Sequence, residues 1–222
     1  GLYGYAQQLD SVIHSHEVSP LFKGEKLMKI FLNYSKTEIL TYASDSTYIK
    51  SDLSYEKEDG TIETIEAGLR ARGNYRRSNC YYLPLWLKIK KEASRNTIFQ
   101  EDKKLKLVLP CLNSKRSNDH VVKEYIAYKI YELISPYHFD TKLLSIELTE
   151  TKNKKTLHHD LLGFFIQDDK KTATGYQGRI IKRNIHPNTQ DPIASSRNAL
   201  FQYMIGNTDY SIAYRHNEKL LF

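Results

Sequence analysis

Strict alternation of apolar and polar residues recurs along much of this chain. Ile65, Ala67, Leu69 and Ala71 interleave with Glu66, Gly68, Arg70 and Arg72, the period of two that marks a strand with one buried face. The same period returns where Leu83, Leu85, Leu87 and Ile89 oppose Trp86, Lys88 and Lys90, and where Leu105, Leu107 and Leu109 oppose Lys104 and Lys106. Three strands thus present cations on their polar side. Residues 27–34 read as an earlier strand, and residues 53–57 pair with 62–72 across Asp59-Gly60, a dipeptide suited to the positive φ angles of a hairpin turn. Residues 143–148 and 162–167 form a second hairpin with 152–155 in its loop, and Ile180 and Ile181 add one short strand.

Two helices break this rhythm. The first opens near Asn118 or Asp119 as its cap and runs through Ile134 to a stop before Pro136, with Val122, Ile126, Ile130 and Leu133 as its core stripe. At roughly 100° per residue, Glu124 points about 150° from that stripe, so it is either solvated or turned into a cleft. The second helix opens at Asp191-Pro192, buries Leu200, Phe201, Met204 and Ile205, and ends at Gly206. Leu9, Val12 and Ile13 suggest a short helix near the start. The order of elements predicts an α+β protein of two lobes. Residues 1–166 carry the mainly antiparallel sheet with a helix, and residues 167–222 carry the second helix and the loop beyond it.

With 222 residues, 40% of them hydrophobic, the chain can bury a substantial core. It holds no run of about 18 apolar residues, so no membrane-spanning helix is expected. A formal charge of +7 favours an anionic partner. The cations are scattered over several elements without a basic helix or zinc-finger spacing, which argues against nucleic acid as that partner. Tyr75, Tyr81 and Tyr82 lie near Arg76 and Arg77 but are expected to pack beside the sheet. Cys80 and Cys111 have no metal-ligand spacing, and stand either as a disulfide or as two buried thiols.

Past the second helix, Gly206-Asn207-Thr208-Asp209 is followed eight residues after the aspartate by Asn217. An acid and an amide in that position suit a phosphate and magnesium site, one oxygen orienting a nucleophile and another holding the metal. Together with Arg70 to Arg77, the Lys104 to Val108 strand and Leu162-Gly163-Phe164-Phe165-Ile166, this segment resembles the spore coat protein H (CotH) kinase-like family. The resemblance covers most of the chain from about Leu53 onward. It implies a two-lobed atypical protein-kinase-like fold that uses ATP and Mg²⁺ or Mn²⁺ to phosphorylate Ser or Thr residues of secreted or surface proteins, and hence an extracytoplasmic location.

The same resemblance assigns roles. Arg72, Gly73 and Asn74 turn over the nucleotide phosphates, and Lys106, preferred to Lys104, pairs with the α and β phosphates while Glu124 orients it. Asp168 stands at the hinge beside the adenine, and Lys182 supplies a second phosphate contact. Asp209 is the catalytic carboxylate, and Asn217 with Asp209 holds the metal. The family pattern carries a further acidic motif, of the Asp-Phe-Asp kind, beyond the point where this chain stops at Phe222, so the helical lobe is expected to be cut short. The alternative function is a catalytically inactive module that binds an acidic protein or surface polymer through its basic sheet face.

Overall fold

The alternating segments become strands, in chain order β1 (Met28–Tyr34), β2 (Ile49–Glu56), β3 (Ile62–Ala71), β4 (Leu85–Ile89), β5 (Lys104–Val108), β6 (Thr141–Lys152) and β7 (Lys155–Gln167). The computed structural model describes residues 17–43, 46–73, 75–152, 155–183, 185–211 and 218–222; the helix expected around Leu9, Val12 and Ile13 lies outside them. The β2–β3 hairpin forms across the expected turn, with Leu53 opposite Ile65. Gly60 takes φ +79°, and the Asp59 carboxylate accepts from the Thr61 amide at 2.9 Å, so both turn residues act as their chemistry dictates.

The sheet does not stay open. Its strands run β1-β2-β3-β4-β5-β7-β6 and close into a barrel where β6 lies parallel to β1, with Ile30 opposite Ile146. The inward residues fill the barrel: Ile30, Leu53, Leu85, Leu105, Leu144 and Phe165 are all 0% exposed. This seven-stranded closed barrel corrects the expected two-lobed kinase-like architecture of a mainly antiparallel sheet with a helix and a helical C-terminal lobe. The physical reason is the long-range β1–β6 pairing. Alternation along one strand sets which face is buried but carries no signal for which distant strand completes the ladder.

The helices are α1 (Lys36–Tyr42), α2 (Tyr75–Asn79), α3 (Lys115–Ile134), α4 (Asp169–Gly175) and α5 (Pro192–Met204), with single 3₁₀ turns at Pro20–Phe22 and Pro187–Thr189. Helix α3 starts before the expected cap, because the Asn118 side chain accepts from the Leu162 amide at 3.1 Å instead of capping its own helix. Its buried face is also different. Ser117 and Val121 are buried, and Tyr125, one turn on, meets Phe164 edge-on at 5.8 Å. Of the expected stripe, Ile126 is 48% and Leu133 is 85% exposed. In α5 the Asp191 carboxylate accepts from the Ala194 amide at 2.7 Å, and Gly206 follows the helix at φ +66°, both as expected. Only part of its expected apolar face is covered: Phe201 is buried, whereas Leu200 is 69% and Met204 57% exposed. Ile180 makes a single bridge to Leu221.

The described chain divides into two compact units. One is the barrel unit, Ser19–Ile126 with Asp140–Asp168, and the other consists chiefly of Ala127–Phe139 and Asp169–Phe222. Cys80 and Cys111 form a disulfide within the barrel unit, resolving the choice their spacing left open. Among the described residues, no helix is long and apolar enough to cross a membrane.

Candidate anion-binding site on the barrel

Because Leu69, Leu87 and Leu105 point into the barrel, their strand neighbours must point out. Cross-strand pairing then sets Arg70 opposite Trp86, Trp86 opposite Lys106, and Lys88 opposite Lys104. The indole of Trp86 becomes a shared platform. Lys104 Nζ lies 4.2 Å, Lys106 Nζ 5.7 Å and Arg72 Cζ 5.9 Å from its centroid. Each cation–ring contact contributes on the order of 0.5–1 kcal/mol at an exposed site, while the three like charges repel one another. Asp168 offsets part of that repulsion through an ion pair to Lys104 at 2.8 Å. Lys106 is only 7% exposed, and the Lys104 side chain keeps 39% of its surface open. A concentration of cations of this kind attracts an anion able to touch several of them at once.

The turn that follows β3 stands beside this platform. The Arg72 amide donates to Pro84 O at 2.9 Å. Gly73 then takes φ +72°, a conformation that glycine adopts without a Cβ penalty. Asn74, expected in the same turn, lies outside the described residues. In α2, Arg76 donates to Leu109 O at 2.7 Å and stands 3.8 Å from Glu124 of α3. Glu124 thus meets an arginine of the neighbouring helix. Desolvation raises its pKa above the ordinary carboxylate range, and the charges of Arg76 and Arg72 pull it back. The disulfide and a 2.6 Å hydrogen bond from the Tyr81 amide to Cys111 O tie the end of α2 to the segment after β5.

Of the residues expected to form one site, Arg72, Gly73, Lys106, Glu124 and Asp168 belong to the barrel unit, and Lys182 and Asp209 to the other. Arg72 and Lys106 converge on Trp86, and Asp168 joins them through Lys104. Lys182 and Asp209 are exposed. The Asp209 amide donates to Asn207 Oδ1 at 3.1 Å, and Asn207 Nδ2 donates to Gln202 Oε1 at 2.7 Å, so Asn207 braces the loop after α5. Asn217 lies outside the described residues. Among the described residues no group of three His, Cys, Asp or Glu side chains is placed to hold a metal ion.

Sequence reasoning missed Trp86 as the centre of the cluster and Arg76 as the partner of Glu124, and it ranked Lys104, which lies nearest the ring, behind Lys106. The signal for the first was present, since the chain's single tryptophan alternates on the cationic side of its strand. Of the tyrosines expected to pack beside the sheet, Tyr82 is fully buried and Tyr75 is 76% exposed. Two surface cavities of the barrel unit have other linings. One includes Asp52, Glu147, His158 and Asp160, and the other Lys36, Thr37, Tyr81 and Glu150. Set against protein-family models, curated proteins and solved structures, the chain matches none of them.

Proposed function

We propose that the protein binds a nucleoside triphosphate through the cations gathered on Trp86 and transfers its terminal phosphoryl group to Ser or Thr side chains of a protein. The observation that carries the binding half is the convergence of Arg72, Lys104 and Lys106 on one indole ring. Arginine offers a planar fork to phosphate oxygens and lysine a point charge, so the set suits a chain of phosphates better than a single carboxylate. Gly73 at positive φ allows backbone to approach such a ligand beside Arg72.

The transfer half rests on the resemblance to the CotH kinase-like family through Gly206-Asn207-Thr208-Asp209. In it, the acceptor hydroxyl oxygen attacks the γ phosphorus, the bond from that phosphorus to the β–γ bridging oxygen breaks, and the nucleoside diphosphate leaves. The resemblance assigns to Asp209 the role of receiving the hydroxyl proton. The Cys80–Cys111 disulfide supports an extracytoplasmic place, where disulfides persist.

The test has two readouts on the full chain. ATP should raise the thermal midpoint, and an Asp209→Asn variant should keep that rise while losing phosphate transfer from labelled ATP to a protein acceptor. Transfer undiminished in Asp209→Asn removes the assigned base. Absence of any ATP-dependent rise removes the nucleotide.

A further inference from the structure

A second aromatic ring with its own cations stands next to the Trp86 cluster. Tyr48, just before β2, lies against Gly68 of β3, where an added Cβ would come 2.8 Å from Tyr48 Cβ and 3.3 Å from its Cγ. Glycine at 68 is what lets the tyrosine settle on the strand. Arg70 Cζ lies 5.0 Å and Lys88 Nζ 5.5 Å from the Tyr48 centroid. Both long side chains are thereby held near one place, which lowers the entropy an incoming anion must remove.

Register fixes how the two rings relate. Gly68 pairs with Lys88 and Arg70 with Trp86, so the backbone positions beneath the two centres are offset by one strand repeat, two residues along β3. That is about 6.6–6.8 Å, the spacing at which an extended peptide presents alternate side chains on one face. The next outward position back along β3 is Glu66, already bridged by Lys50 and by Lys90 at 2.8 Å each. The cationic run therefore ends with a carboxylate lying on lysines of the same face, the contact an acidic ligand would repeat one step further on.

We propose that Tyr48, Arg70 and Lys88 form a docking subsite for an extended acidic peptide whose carboxylates, on alternate residues, fall on this centre and on the Trp86 cluster. It rests on the anion-binding reading of the Trp86 cluster, which a bound nucleotide would share. A peptide then loses one of its two anchors when nucleotide binds, and keeps the one at Tyr48.

The experiment is a calorimetric titration of the full chain with Thr- and Val-based peptides that carry two glutamates zero, one, two or three residues apart. The one-residue gap should bind most tightly, by roughly threefold to tenfold, with an affinity that falls as salt is raised. Lys88→Gln and Tyr48→Ala should erase the preference, and Tyr48→Phe, which keeps the ring, should preserve it. Equal affinity across the four gaps, or a preference that survives Lys88→Gln, overturns the subsite. An ATP-dependent thermal rise in the same wild-type preparation separates the two readings. If the rise is present and the gap preference absent, the subsite alone fails. If the preference is present and the rise absent, the nucleotide alone fails.

Discussion

Trp86 and Lys106 stand directly opposite each other on β4 and β5, and the lysine nitrogen lies 5.7 Å from the indole centroid in a residue only 7% exposed. A lysine buried to this extent needs its charge compensated, and the indole face supplies part of that compensation. Replacing Trp86 by Ala should therefore weaken binding of inorganic triphosphate by roughly threefold to tenfold, because three cations lose the surface that positions them. Trp86→Phe should retain most of the affinity. Calorimetry on both variants, with circular dichroism to confirm that each is folded, measures the difference.

Gly163 of β7 packs against its neighbours with no room for a methyl group. An added Cβ would stand 2.5 Å from Ile146 Cδ1 and 2.7 Å from the Val108 carbonyl oxygen. The isoleucine tip can rotate, but the carbonyl belongs to the barrel wall. Gly163→Ala should cost about 1–3 kcal/mol of stability, read as a lower denaturation midpoint in urea. An unchanged midpoint would mean that the wall between β5 and β7 yields more readily than a paired sheet should.

The Cys80–Cys111 disulfide closes a loop across a sequence separation of 31. Loop-closure entropy for a ring of that size gives about 3–4 kcal/mol. Reduction, or the paired Cys80→Ser and Cys111→Ser change, should lower the thermal midpoint, and should also weaken triphosphate binding because the tie between α2 and the segment after β5 is lost. A thermal scan with and without a thiol reductant tests both.

Tyrosine burial sets an alkaline limit. Tyr82 donates to Asn113 Oδ1 at 2.9 Å and lies 3.0 Å from His159 Nδ1. Burial first, then the nearby Tyr81 and Glu150, push its pKa from 10.0 up to about 12. Burial and the Glu150 charge raise that of Tyr34 as well. The unfolded chain releases these protons near the ordinary value while the folded chain still holds them. Their contribution is therefore complete below about pH 10 and is lost as pH rises toward about 12. Stability should fall across that window, and Tyr82→Phe should flatten the fall, at a cost of about 1 kcal/mol at neutral pH from the lost hydrogen bond. Chemical denaturation as a function of pH reads both effects.

Much of the barrel wall was legible in the sequence, because a period of two states directly which side chains enter the core. Asp59-Gly60, Asp191-Pro192 and Gly206 declared their turns and caps through backbone chemistry that acts within a few residues. Closure was not legible. The contact between β1 and β6 joins Ile30 to Ile146, far apart in the chain, through backbone groups that every residue carries. The face of α3 was misjudged for a related reason. Tyr125 was not counted as apolar, yet Phe164 offers it a ring, while Leu133 remains exposed. In the site, alternation placed Arg72 and Lys106 on the outward side, but only the register across β4 showed that Trp86 gathers them.

The most direct test of the central claim is a titration of ATP into the full chain and into an Arg72→Gln, Lys104→Gln double variant that removes two cations from the Trp86 ring. The account predicts saturable binding to the wild type and an affinity at least about tenfold lower in the variant, with far-ultraviolet circular dichroism unchanged. Equal affinity in the two proteins, both folded, would place the phosphates elsewhere and contradict it.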